Sequence, residues 1–168
     1  MDIQHELLAE FDRETAATRK ILEAIPDNAD YGWKPSEKSM PLGALAGHIA
    51  DMPGQWAVSA LTLDKLEFGP DNKWEPFRPT TRAQVLERFD KGLVATRTAL
   101  ERVTPEKWDQ KWQFVWNGQV VVEEPRYGVL RSMVLNHLVH HRAQLGVYIR
   151  LLGGKLPGVY GPSADEGQ

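Results

Sequence analysis

Apolar residues recur at helical spacing in four stretches of the chain. The first covers residues 3–25, where Leu7, Leu8, Phe11, Ile21, Leu22 and Ile25 share a face between acids and bases, and Pro26 follows as a stop. The second begins near Leu42 and carries Leu45, Ile49, Met52, Trp56 and Leu63. Within it Pro53 lacks a backbone donor, which predicts a kink that opens space between helices. The third follows Thr81, with Gln84 at the spacing of a capping box, and buries Val85, Leu86, Phe89, Leu93 and Leu100. The fourth runs over residues 128–152 without a proline, through Leu130, Met133, Val134, Leu138, Leu145, Tyr148 and Ile149, and stops at Gly153-Gly154.

The intervals between these stripes are rich in turn formers. Residues 27–41 read as a loop whose Tyr31 and Trp33 dock on the core, and residues 69–79 as a second, proline-rich loop. After a short turn at Thr104-Pro105-Glu106, Asn117-Gly118 separates two runs of β-branched and aromatic residues and predicts a small hairpin. From Lys155 onward proline and glycine are too frequent for regular structure, and this tail either frays or folds back. The pattern predicts an all-α fold. It is an antiparallel four-helix bundle with a small hairpin or irregular insertion between the third and fourth helices, one domain over residues 1–168 with residues 155–168 as an irregular tail.

Composition narrows the chemistry. A chain of 168 residues with 42% hydrophobic and 26% charged residues suits a single soluble domain. The net charge of −3 gives no long-range attraction to nucleic acid or acidic membranes. The absence of cysteine excludes disulfides, thiolate metal sites and a cysteine nucleophile, and is compatible with a reducing cytoplasm. No apolar run approaches the roughly 18 residues of a membrane span, and the N-terminus lacks the features of a signal peptide. The expectation is a cytoplasmic protein with neither nucleic-acid nor membrane partners.

The histidines then give the chain its candidate chemistry. His137, His140 and His141 fall on the fourth helix. At about 100° per residue, His137 and His141 lie inside the apolar stripe and His140 on its edge. A pair at i and i+4 stacks two imidazoles on one face, where both reach an ion at the usual ~2.0 to 2.1 Å. His48 lies by the apolar stripe of the second helix and completes a set of three if the two helices face each other. Buried without partners, such imidazoles would cost roughly 1 to 3 kcal/mol each. Chance also produces such pairs, so the residues alone leave a plain structural role open.

The other metal patterns fit worse. Leu138 follows His137 where a zincin has Glu, and no ExxH pair of a di-iron bundle occurs. His5 reads as a surface residue and His140 as a rim residue. The six tryptophans read as core and loop anchors. Asp51 and Gln55 on the second helix, and Gln144 and Tyr148 on the fourth, are the candidate assisting groups.

Two segments, LGALAGHIADM around His48 and NHLVHHRAQLGVYIRLLGGKLPGVYGPSADE from Asn136, resemble the DinB-like superfamily of bacterial four-helix bundles. The most restrictive part is His137, His141, Arg142, Gln144, Leu145, Tyr148, Arg150 and Gly153. The resemblance implies a divalent ion, nickel or zinc and sometimes iron, held by one histidine of the second helix and two of the fourth. His48, His137 and His141 match those positions. It also implies homodimers and, in some members, a low-molecular-weight thiol as co-substrate. Two functions follow as expectations. One is a metal-dependent hydrolase or thiol transferase with an open coordination position. The other is a non-catalytic metal-binding module of a stress response or a structural dimer.

Overall fold

Helix α1 (Ile3–Glu23) starts at Asp2, whose carboxylate accepts from the amides of Gln4 and His5 at 3.1 and 3.2 Å. That takes up two of the donors a helix start leaves free. The structure, a computed structural model, describes residues 2–167. After a loop the chain enters α2 (Leu42–Asp51), where the first amides donate to carbonyls of that loop, Leu42 to Trp33 and Gly43 to Tyr31. Trp33 packs against the core, as expected, with its ring edge on Tyr148.

At Pro53 the helix widens into a π-helical segment, Met52–Ala57, before resuming as α3 (Val58–Thr62). The expected disturbance is present, and a cleft of about 400 Å³ adjoins it at Gly54 and Gln55. Gly54 sits against Gly92 of α4 (Arg82–Glu101), where a Cβ on Gly92 would meet the Gly54 backbone nitrogen at 2.7 Å. The buried Thr96 hydroxyl donates to the Pro53 carbonyl, giving the widened turn a partner from α4. Helix α4 begins at Thr81, whose hydroxyl accepts from the Gln84 amide. The Gln84 side chain reaches back to the amide of Thr80 rather than Thr81, so the capping box is displaced by one residue.

The fold is not the all-α four-helix bundle that periodicity predicts. Three strands form a mixed sheet in the order β1-β2-β3: β1 (Lys65–Phe68), β2 (Lys111–Trp116) and β3 (Gln119–Pro125). The expected hairpin is β2 and β3, joined by Asn117 at φ 50° and Gly118 at φ 76°. Positive φ at both central residues gives the type I′ turn that follows strand twist. The unexpected strand is β1, which leaves α3 and pairs in parallel with β2, Lys65 opposite Gln113 and Phe68 opposite Trp116. Buried Arg126 ties this corner together by donating to the carbonyls of Ala60 and Leu63 and to the Asp64 carboxylate.

The last helical stretch has three parts. A short α5 (Arg126–Val129) leads through a second π-helical segment, Leu130–Asn136, into α6 (His137–Leu151). Gly153 at φ 79° and a Gly154 amide bonded to the Ile149 carbonyl at 2.9 Å end α6 in a Schellman turn. The tail folds back, with Leu156 packed on the core. Leu22, Leu45, Ile49, Phe89 and Leu145, drawn from α1, α2, α4 and α6, belong to one buried cluster. Each such side chain contributes about 1.5 to 3 kcal/mol by leaving water. Among the described residues no helix is long and apolar enough to cross a membrane.

Candidate metal centre

Packing of α2 against α6 brings His48 to His137 and His141. Their ligand nitrogens all lie within 4.8 Å of one another. The Nε2 atoms of His137 and His141 are 2.8 Å apart, and those of His48 and His137 are 3.5 Å apart. Two nitrogens bound to one ion at ~2.0 to 2.1 Å are separated by roughly 2.9 Å at a right angle and about 3.4 Å at the tetrahedral angle. The observed spacings bracket that range, so the three histidines could hold a metal ion.

Hydrogen bonding fixes which nitrogens are free. The His141 Nδ1 lies 2.7 Å from the Gln144 side-chain oxygen, an acceptor, so it carries the ring proton. The backbone of Met133, in the π-helical segment that leads into α6, lies against the His137 ring and favours its protonated form. With its Nδ1 protonated, His141 turns a bare Nε2 lone pair toward the His137 Nε2 at 2.8 Å, a separation that a shared proton or a shared cation bridges.

Electrostatics keep the rings neutral. Burial pushes the His48 pKa down to about 4, and the charges of His141, His137 and Arg78 add to the effect. His137 is lowered by burial, against the opposing bond to Met133, with a further contribution from His140. His141 is lowered by burial, against the bond to Gln144, with His137 and His140 adding to it. Neutral imidazole is the metal-binding form.

The assisting residues expected from the sequence divide two and two. Gln144 touches the centre, bonding His141 and also lying 3.1 Å from the His140 Nε2. Tyr148 lines the cleft beside His141, with its hydroxyl donating to the Met40 carbonyl at 3.1 Å. Asp51 is buried but committed elsewhere, to Arg88 at 2.6 Å and the Phe77 amide at 3.4 Å. Gln55 lines a cleft against α4 with Arg88 and Lys91 and does not line the His141 cleft. His5 and His140 are exposed, as expected.

Two features of the site had no signal in the sequence. One is the Met133 backbone acceptor, which follows from the π-helical segment. The other is a cleft of about 460 Å³ beside His141, lined by Lys38, Ser39, Met40, Leu45, Gln144 and Tyr148. A larger cavity of about 690 Å³ lies between α6 and the tail, around Ala143, Gly146 and residues 156–163, and no histidine lines it.

Known proteins resemble this chain in sequence and in fold. The chain is 26% identical over 161 residues to the uncharacterized protein YrdA of Bacillus subtilis, covering 95% of this chain and 89% of the relative. A DinB-like protein from Bacillus cereus superimposes with a TM-score of 0.68 at 23% identity, covering 92% of this chain and 95% of that one. The DinB-like protein YjoA from Bacillus subtilis gives a TM-score of 0.68 at 22% identity over 92% of this chain and 97% of its own. The model of the DinB family matches residues 1–168, and the chain belongs to that family.

Proposed function

We propose that His48, His137 and His141 hold one divalent transition-metal ion, nickel or zinc in the first instance and iron as the third candidate. In this reading the protein is a metal-dependent hydrolase or low-molecular-weight-thiol transferase. The carrying observation is the convergence of the three imidazoles, with Nε2 atoms 2.8 and 3.5 Å apart and the His141 ring oriented from behind by Gln144. Orientation by an outer partner is typical of histidine ligands. Three neutral ligands leave the ion its full charge and an open position, and a bound ion supplies Lewis acidity that lowers the pKa of a water or thiol.

The chain's own residues supply the rest. Gln144 holds the His141 tautomer, and the adjoining cleft gives a substrate access to His141. With no cysteine in the sequence, a thiol comes from a diffusible co-substrate. A homodimer belongs to the same proposal, and light scattering of the purified protein reads it directly. One observation favours the alternative, a non-catalytic metal module. Asp51, the carboxylate best placed in sequence to move a proton, is bound to Arg88. A panel of small thiols with ester, amide and epoxide electrophiles, assayed with and without nickel, zinc or iron, separates the two. Metal-dependent turnover of any pair supports the enzyme, and its absence throughout supports the module.

A further inference from the structure

The surroundings of the three histidines are cationic. Among the described residues, the group of side chains close enough to share a metal contains histidines alone, with no carboxylate. Asp51 is occupied by Arg88. Two basic residues flank the cluster. Lys38 lines the cleft that His141 and Gln144 open onto. Arg78 is carried past His48 by a segment that presses on α2, where a Cβ on Gly47 would lie 2.3 Å from the Phe77 carbonyl oxygen and 2.8 Å from Pro79. Its side chain lines a cleft with Phe77, Gln84, Glu87, Arg88 and Lys91.

Both cations are uncommitted. Arg88, Arg126, Arg142 and Arg150 each hold a carboxylate. Among the described residues neither Lys38 nor Arg78 has one within 4.0 Å, and the Arg78 guanidinium bonds only the carbonyl of its neighbour Phe77, at 3.4 Å. Backbone amides add little here, because the first amides of α2, at Leu42, Gly43 and Leu45, already donate to carbonyls. A multiply charged phosphate would want several such donors. The rest of the cleft is Ser39 and an apolar wall of Met40, Leu45, Val147 and the Tyr148 ring, and about 460 Å³ suits a small molecule.

We infer that the substrate or co-substrate of this centre is a small monocarboxylate with an apolar body, its charge read by Lys38 on the His141 side and Arg78 on the His48 side. The inference rests on the metal reading above and names the class of molecule that the site takes. A dication held by three neutral ligands, with two free cations beside it, is electrostatically incomplete until an anion enters.

Cobalt-loaded protein provides the test, because the visible spectrum of the ion reports what enters its coordination sphere or lies beside it. The protein is first titrated with cobalt, then the loaded protein with 3-phenylpropionate and with its neutral amide. The acid should bind at least about tenfold more tightly than the amide, and less tightly as salt is raised. Lys38→Ala and Arg78→Ala should each weaken the acid by about three- to tenfold, leave the amide unchanged, and bind cobalt no more weakly than the parent. Equal affinities for acid and amide overturn the inference while the metal reading stands. So does a double variant that binds the acid like the parent. Failure to bind cobalt overturns the metal reading, and this inference with it.

Discussion

Helix α6 carries two polar clusters on consecutive residues, a half-buried one at His141 and a buried one at Arg142, and they are built in opposite ways. At Arg142 both terminal nitrogens find acceptors: the guanidinium bonds the Glu14 carbonyl and carboxylate at 3.0 Å each, the Thr18 hydroxyl at 3.3 Å, and the Tyr160 hydroxyl at 2.5 Å. The Glu14 carboxylate accepts from both Arg142 and Tyr160. Burial alone would raise the Glu14 pKa, but these hydrogen bonds outweigh it and hold the carboxyl below its ordinary range. At His141, by contrast, the outer nitrogen is held by Gln144 and the inner ones of the three rings converge only on one another. A closed network joins α1, α6 and the tail. An open one asks for a ligand.

The largest consequence follows from closing the first cluster with a mismatch. Arg142→Leu strands a buried Glu14 carboxylate and should cost about 3 to 5 kcal/mol of stability. Urea denaturation reads the loss, and Glu14→Gln in the same background should recover part of it. Replacing a histidine should do the reverse. His137→Ala should abolish the rise in melting temperature that added nickel or zinc gives the parent, since two remaining ligands bind at least about a hundredfold more weakly. The metal-free variant should melt within a few degrees of the metal-free parent. A large drop would move the histidines to the side of Arg142, as part of the structural framework.

The four helical stretches were legible because each repeats its apolar residues over several turns, and Asn117-Gly118 announced its hairpin. Strand β1 was not. It is four residues long, KLEF, and its partner β2 lies more than forty residues further along the chain, so its identity is settled by pairing and not by local pattern. Of the two π-helical segments, Pro53 announced a disturbance at the first, whereas no proline or glycine marks the second at Leu130–Asn136, where i→i+5 bonding changes which backbone atoms are free. At the site, two histidines four apart and a third on a second apolar stripe marked the cluster in advance. Asp51 misled because spacing on α2 brings it near His48 in sequence, whereas Arg88 of α4 and the Phe77 amide claim its carboxylate.

A smaller effect sharpens the contrast. Gln144→Leu removes the acceptor behind His141 without touching a ligand, and should weaken nickel or zinc by about tenfold in a competition titration. The same change at Gln55, which lines the α4 cleft instead, should leave metal affinity as it was.

Acid pH should separate the two clusters by the order in which they fail. The ordinary imidazole titrates near 6.5 but folded His48 only near 4, so between these values the unfolded chain binds more protons. Metal-free protein should therefore be unaffected above pH 6.5 and lose stability steadily below it, with His137 and His141 adding in the same direction. Glu14 acts later. Its folded pKa lies below the ordinary 4.5, so the stability it contributes is present above 4.5 and lost as pH falls through the folded value. Melting temperatures between pH 6.5 and 4.5 thus report the histidines, and His48→Asn should flatten that part of the profile.

The central claim is that the three histidines form one metal centre, and counting ions tests it most directly. Protein equilibrated with nickel or zinc, dialysed and analysed for metal should hold one ion per chain, and His48→Ala should hold far less under the same dialysis. Equal occupancy in the parent and in His48→Ala would contradict the account, as would a parent that retains no ion.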